Sequence, residues 1–443
     1  NYWRFRERTQ TADFKPEDIR TWTLEQLTNE AAKYHWLAVS NENTKGVGIE
    51  NFKPILTEGR NEEGLRPTLY DFLAHRAIDF FMNERTYLTQ PAYKFYIDDA
   101  QAFAKAEDFI KWQITSKDTA SQKLQTLRLM QKLLAFRMQE RERHSASLLD
   151  ADLKRLRFVH QNAVIDTKDE LYMRALQDLQ KKYEDSPLVA EVKYEIASFY
   201  FTKGSDWQPL PLGSPSSDSP SGVGGGGGDD RKWHWKKALD LCNEVLQKHP
   251  GTFGAKQCST LKASLLEKTL TMQTEVVNLP GEPFLARIDA RNIPTVYLKI
   301  IRFNEKRRAE LDKIRFGNNA DDEMLQFFNK LKPLKSWSVK LPDDGDLRQH
   351  SVEIKMDKLP LGQYLVMVSP DAKFSKPQVP NPDGNLSGAT GYLFTNVSNI
   401  GSWQRQHNED GAEFVVFDRK NGTPLKGVTG ELFWQHYNSV FRK

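Results

Sequence analysis

The stretch Ser351-Val352-Glu353-Ile354-Lys355-Met356, SVEIKM at 351–356, alternates polar and apolar side chains without a fault. Successive side chains of a strand point to opposite faces, so this spacing predicts a half-buried strand with Val352, Ile354 and Met356 turned inward. PTVYLKIIRF at 294–303 carries the same period through Val296, Leu298 and Ile300. QYLVMV at 363–368 continues it after Pro360-Leu361-Gly362, a turn whose glycine can take a positive φ. Between these strands, residues 305–331 return to helical spacing, with Leu311, Ile314, Met324, Phe327 and Phe328 available for one face.

Upstream of Lys268 the rhythm is helical. Residues 15–37 open with Pro16-Glu17-Asp18 and space Ile19, Trp22, Leu27, Ala31 and Tyr34 near 3.6 residues, with acidic groups at the positive end of the helix dipole. Residues 68–81, 100–112 and 119–139 repeat the scheme, while 41–66, rich in glycine and poor in apolar residues, reads as a surface excursion. Residues 171–200 lie over 237–263 at an offset of about 66, matching Leu176 with Cys242, Leu179 with Val245 and Val192 with Cys258. The helix breaks Glu184-Asp185-Ser186-Pro187 and Pro250-Gly251-Thr252 also nearly coincide. KKYEDSPLVAEVKYEIASFYF, 181–201, resembles the tetratricopeptide family, whose helix pairs stack into a curved array; ordinary antiparallel helix pairs would give the same pattern. The insertion at 204–230 carries serine, proline and the run Gly224 to Gly228, and cannot bury enough apolar surface to offset ordering entropy, so it is expected to be flexible. Those glycines lack the strand and lysine of a phosphate-binding loop, and Asp229-Asp230 follows them.

Downstream, FVVFDRKNGTPLKGVTGELF at 414–433 predicts two short strands around an Asn421-Gly422 turn and a Pro424-to-Gly427 connection. A sandwich of about 100 residues begun here would be incomplete at Lys443, which predicts the front end of a larger molecule. The expected fold is therefore multidomain, α then β. Residues 1–268 are all-α, tetratricopeptide-like in 165–268; 269–384 form an immunoglobulin-like β-sandwich with a helical insertion at 305–331; 385–443 start a second, incomplete sandwich.

The 443 residues, 39% apolar and 11% aromatic, suffice for several cores. The net charge of +4 arises from 63 basic and 59 acidic residues spread along the chain, leaving no sustained basic face for nucleic acid. No apolar run approaches membrane-spanning length, and Asn1-Tyr2-Trp3-Arg4 reads as a start downstream of a removed leader.

EPFLARIDARNIPTVYLKIIRFN at 282–304 resembles the entry strands of a macroglobulin-type sandwich. GYLFTNVSNIG at 391–401, followed by 414–433, is similar to the second such sandwich of bacterial alpha-2-macroglobulin family proteins. The helical front end resembles the large forms found in Bacteroides-like bacteria. The resemblance implies a non-enzymatic protein of the periplasm or cell envelope that entraps peptidases: a protease cuts an exposed bait segment, the sandwiches rearrange, and the attacker is held. It implies no cofactor. The family's thioester needs Cys-x-Glu-Gln; Cys242-Asn243-Glu244-Val245 lacks the glutamine, and Cys258-Ser259-Thr260-Leu261 lacks both partners, so neither is a thioester site. No bait segment stands out.

Cys242 and Cys258 lie eight residues before and after Pro250, which brings them level in an antiparallel helix pair. A disulfide between them is open, and so is a pair of free cysteines acting as small apolar core residues, since the repeat places them at Leu176 and Val192. No catalytic set stands out: the nine histidines are scattered, and His-Glu-x-x-His, Gly-x-Ser-x-Gly and zinc-ligand spacings are missing from the sequence. Trp233-His234-Trp235 could bind a glycan or a metal but reads more simply as a helix start. Residues 140–143 and 305–308 read as solvated charge runs, and Asn385-Leu386-Ser387 and Asn396-Val397-Ser398 fit the glycosylation pattern. Two functions remain: a macroglobulin-like protease trap, or a tetratricopeptide-type adaptor or envelope scaffold with sandwich spacers.

Overall fold

Thr23 and Gln26 form a reciprocal cap, the backbone N–H of each donating to the side chain of the other at 2.8 and 3.2 Å. Such a box satisfies two otherwise orphaned amides, and it starts helix α1 (Leu24–Ser40) nine residues later than the 15–37 periodicity suggests. The acidic stretch before it instead forms a turn and the single 3-10 turn Ile19–Thr21, held by Arg20 N–H donating to Asp18. The computed structural model describes residues 15–57, 64–83, 93–140, 143–207, 230–314, 320–375, 390–407 and 411–431. Gly224–Gly228, Leu432, Phe433 and the Asn385 triplet lie outside them.

The same capping logic sets α2 (Leu69–Met82), where Thr68 and Asp71 cap each other, and α4 (Gln122–Gln139), where Ser121 accepts from Leu124 N–H. The helix expected over 100–112 is broken. Asp99 caps one 3-10 turn, Ala104 and Lys105 are not helical, and only α3 (Ala106–Phe109) follows. The excursion at 41–66 contains two 3-10 segments, Glu42–Gly46 and Ile49–Ile55. Helices α5 (Ser145–Asn162), α6 (Lys168–Lys182), α7 (Val189–Ser205), α8 (His234–Lys248) and α9 (Phe253–Leu265) complete the helical part. One apolar cluster runs from Val39 through Ile78, Phe109, Leu124, Leu134 and Leu156 to Ile196. Inside it Arg137 and Asp71 are buried as an ion pair of 3.1 Å, and the guanidinium also lies over Phe136.

The repeat is visible in the elements. Helices α6 and α8 are each 15 residues long, offset by the 66 residues read from the sequence. Tyr172 and Ala238, Leu176 and Cys242, Leu179 and Val245, and Val192 and Cys258 are buried at equivalent positions. Lys193 on α7 pairs with Glu244 on α8 at 2.8 Å. Gly254 lets α9 approach the backbone of α7: a Cβ there would lie 2.4 Å from the carbonyl carbon of Ala190.

The chain divides into two compact units, Asn1–Ser214 with Lys237–Leu261, and Pro215–Lys236 with Lys262–Lys443. In the second, the change of period is met by β1 (Thr269–Thr274), β2 (Val277–Asn278), β3 (Phe284–Arg291), β4 (Thr295–Arg302), β5 (Lys335–Lys340), β6 (Gln349–Met356), β7 (Gly362–Ser369), β8 (Gly391–Val397), β9 (Ile400–His407) and β10 (Gly411–Asp418). The sheets are β1-β3-β6, β2-β8-β7-β4-β5 and β10-β9. Pairing is antiparallel except β2 with β8. Ile288 of β3 and Ile354 of β6 share one core with Val296, Leu298 and Ile300 of β4 and Val366 and Val368 of β7.

The five-stranded sheet has a second covered face. Ile301, Leu365 and Met367 pack with Leu311 of α10 (Glu305–Ile314), Phe328 of α11 (Ala320–Lys330) and Phe374. Residues 364–369 are therefore buried without interruption, and β7 is buried on both faces rather than half-buried as its alternation suggested. A second correction concerns residues 391–397, expected to open the next module. As β8 they sit between β2 and β7, with Leu365 opposite Phe394, because their apolar partners lie in that sheet. Only β9 and β10 stand apart among the described strands. Asp418 organises the turn after them, its carboxylate accepting from the N–H groups of Lys420 and Asn421, and Gly422 takes φ +74°.

Candidate functional site

The loop Leu341–Arg348, between β5 and β6, is built by acidic side chains. Asp343 accepts from Gly345 N–H, Gly345 takes φ +73° and Leu347 φ +62°, the latter uncommon for a bulky side chain. This bending turns Asp346 inward, where one carboxylate oxygen accepts from Arg348 N–H and meets His350 Nε2, each at 2.9 Å. Asp344, Asp346 and His350 bring one ligand-type atom each within 4.8 Å of one another. The other oxygen of Asp346 is buried without a hydrogen-bond donor. The cation among these groups is Lys232, whose ammonium lies 3.0 Å from Asp344 and 3.9 Å from Asp346. That hydrogen bond holds the Asp344 carboxyl below its ordinary range. The three groups are a donor set suited to a divalent cation, with the lysine already balancing their charge.

Two guanidinium groups lie over the Trp235 ring, Arg291 at 4.4 Å and Arg348 at 5.0 Å from its centre. Arg348 also donates to the carbonyls of Arg231 and Lys232, and Arg291 to those of Ser264, Leu265 and Leu347. The Trp233-His234-Trp235 stretch starts α8, as its simpler reading holds, and the Trp235 ring is engaged by arginines. Asn396 lies within β8, its backbone paired to both neighbouring strands.

In the helical unit a cavity of about 440 Å³ opens between residues 103–107, α5 and α6, with Lys105, Glu107, Asp178 and Lys182 among its lining. At its base Arg155 is buried, bonded to Asp152 at 2.8 Å and to the carbonyl of Ala102. On the other side of α5, Arg157 pairs with Glu195 at 2.9 Å, and burial raises the Glu195 carboxyl. Burial, reinforced by the Asp150 carboxylate, pushes Glu191 up to about 7. His160 joins Asp169 at 2.7 Å and stacks on Tyr172, tying α5 to α6.

Cys242 and Cys258 are brought together as fully buried thiols with no disulfide between them. They hydrogen bond one another, and that bond, with burial, raises the Cys258 thiol above its ordinary range. No histidine or cysteine spacing in the sequence marks the Asp344, Asp346 and His350 group. Its only local mark is the Asp343-Asp344-Gly345-Asp346 turn, and Lys232 lies 112 residues away from Asp344.

No family model matches the chain, and no curated protein matches it. Among solved structures it is similar to the CARDB domain of a Pyrococcus furiosus protein, crystallised in complex with di-metal ions. That match has 12% identity over 30% of this chain and 88% of the other, with a TM-score of 0.17. A score that low does not define a shared fold. Among the described residues, no helix is long and apolar enough to cross a membrane.

Proposed function

We propose that this chain is the front end of a non-enzymatic, macroglobulin-like protein of the cell envelope that captures peptidases, its tetratricopeptide-like helix pairs preceding macroglobulin-type sandwiches. The observation that carries the reading is the layering from Thr269 onward. A three-stranded and a five-stranded sheet enclose one core directly after the repeated helical hairpins. Then β9 and β10 pair as a separate hairpin, with FVVFD of the 414–433 stretch in its second strand and the Asn421-Gly422 turn following it rather than joining its strands. Trp403 and Val415 on one face, and Ile400 and Phe414 on the other, are exposed. An isolated two-stranded hairpin is marginal in water, and one with apolar side chains on both faces is suited to packing within a larger sandwich.

Capture by enclosure makes a distinctive prediction about substrates. The protein carrying residues 1–443 is mixed with an excess-titrated panel of endopeptidases, and hydrolysis of a small chromogenic peptide is compared with that of casein. Retained peptide hydrolysis with strongly reduced casein hydrolysis supports capture; equal rates on both substrates, at every ratio, refute it. The adaptor reading rests on the cavity of about 440 Å³ beside α5 and α6, rimmed by Lys105, Glu107, Asp178 and Lys182, which could seat a charged peptide.

A further inference from the structure

We infer that Cys242 and Cys258 form an intramolecular disulfide that staples the α8–α9 hairpin, made while the chain folds in an oxidising compartment. The inference rests on the envelope location proposed above, and not on peptidase capture itself. Equivalent positions of the preceding hairpin hold Leu176 and Val192, both buried, so this site requires only apolar bulk. Here two thiols fill it and touch each other, each fully buried. They sit level across the Pro250-Gly251 turn, and Gly251 takes φ +83°, which reverses the chain tightly enough to set α9 back against α8. A disulfide needs facing Cβ atoms about 3.5–4.5 Å apart, and side chains already in hydrogen-bond contact approach that arrangement.

The chemistry fixes when the bond forms. Each thiol loses its proton and the pair gives up two electrons to the disulfide of a thiol oxidase, which leaves as a dithiol; the new bond is Sγ–Sγ. The attacking species is a thiolate. In the folded hairpin both sulfurs are shielded, and the raised Cys258 thiol keeps that species scarce. Oxidation therefore precedes docking of α9, and the finished bond is shielded from external reductants. In a reducing compartment the same residues pack as free thiols and stay inert.

Trypsin cutting after Lys237, Lys248, Lys256 and Lys262 separates the two cysteines, placing them in peptides 238–248 and 257–262. Protein exported to an oxidising compartment is denatured with an alkylating agent, without reductant, and digested. The expected result is a linked pair of these peptides, no alkylated cysteine, and an intact monomer mass lower by two hydrogens than after reduction. Two alkylated cysteines in that sample, or linkage between molecules on a non-reducing gel, overturn the proposal. Protein made in a reducing cytosol supplies the second arm. Its thiols should resist alkylation when native and react fully in denaturant; rapid reaction in the native state contradicts the shielding on which the timing rests.

Discussion

Gly254→Ala sets two effects against each other at the place where α9 meets α7. In an open helix position alanine would stabilise by about 1 kcal/mol relative to glycine. At 254 the added Cβ would lie 2.4 Å from the carbonyl carbon and 2.5 Å from the carbonyl oxygen of Ala190, and 2.6 Å from the backbone nitrogen of Glu191. These are main-chain atoms, so no side-chain rotation relieves them and the helices must part. Overpacking of this kind costs about 1–3 kcal/mol, with the upper end expected where backbone must move. The net expectation is destabilisation of roughly 1–2 kcal/mol, a fall in melting temperature of about 2–8 °C for a unit of this size. The assay is thermal unfolding followed by far-ultraviolet circular dichroism, which reports the helices. Gly46→Ala is the control: a Cβ there meets nothing within 4 Å, so its melting temperature should hold or rise slightly. A Gly254→Ala protein as stable as Gly46→Ala would refute the close packing of α7 and α9.

Arg137 and Asp71 are both buried, so Asp71→Leu leaves the guanidinium with Glu140 at 3.6 Å as its remaining carboxylate among the described residues, and also removes the Thr68 cap. It should cost toward the lower end of about 3–5 kcal/mol, and the Arg137→Met, Asp71→Leu double should cost less than the two single changes summed; urea titration of the parent, both singles and the double checks the coupling. Glu191 has a folded value of about 7, raised above its ordinary 4.5 by burial and then by Asp150, so its contribution is fully present below about pH 4.5 and is lost as pH rises through 7. Glu191→Gln should accordingly gain on the native protein by about 1–2 kcal/mol at pH 8, after discounting for partial solvent contact, and show little advantage at pH 4.5. A difference independent of pH in the two melting curves would count against the burial of that carboxyl. Trp235→Leu keeps apolar bulk but removes the ring that Arg291 and Arg348 both lie over, and should destabilise by about 1–2 kcal/mol, read by denaturant unfolding.

The start of the β region at Thr269 and the 66-residue repeat were legible because both rest on periodicity, which burial enforces locally. What escaped was set by partners distant in sequence. Residues 391–397 have the same strand pattern whichever sheet they join, and only pairing with β7 assigns them. The unbroken burial of residues 364–369 follows from α10 and α11 covering the second face, which their own alternation does not reveal. The start of α1 turned on one cap, Thr23 with Gln26, that outweighed the acidic residues before it. Lys232, Asp344, Asp346 and His350 illustrate the limit for sites: an ion cluster assembled by a loop and a helix start carries no fixed spacing. The cysteine pair was the opposite case, its symmetry about Pro250-Gly251 being sufficient to bring the thiols together.

Sedimentation velocity of the protein carrying residues 1–443, before and after addition of a labelled endopeptidase, tests capture most directly. The account predicts that cleavage yields one faster, more compact species in which label and protein travel together. Slower fragments accompanied by freely sedimenting peptidase would contradict it.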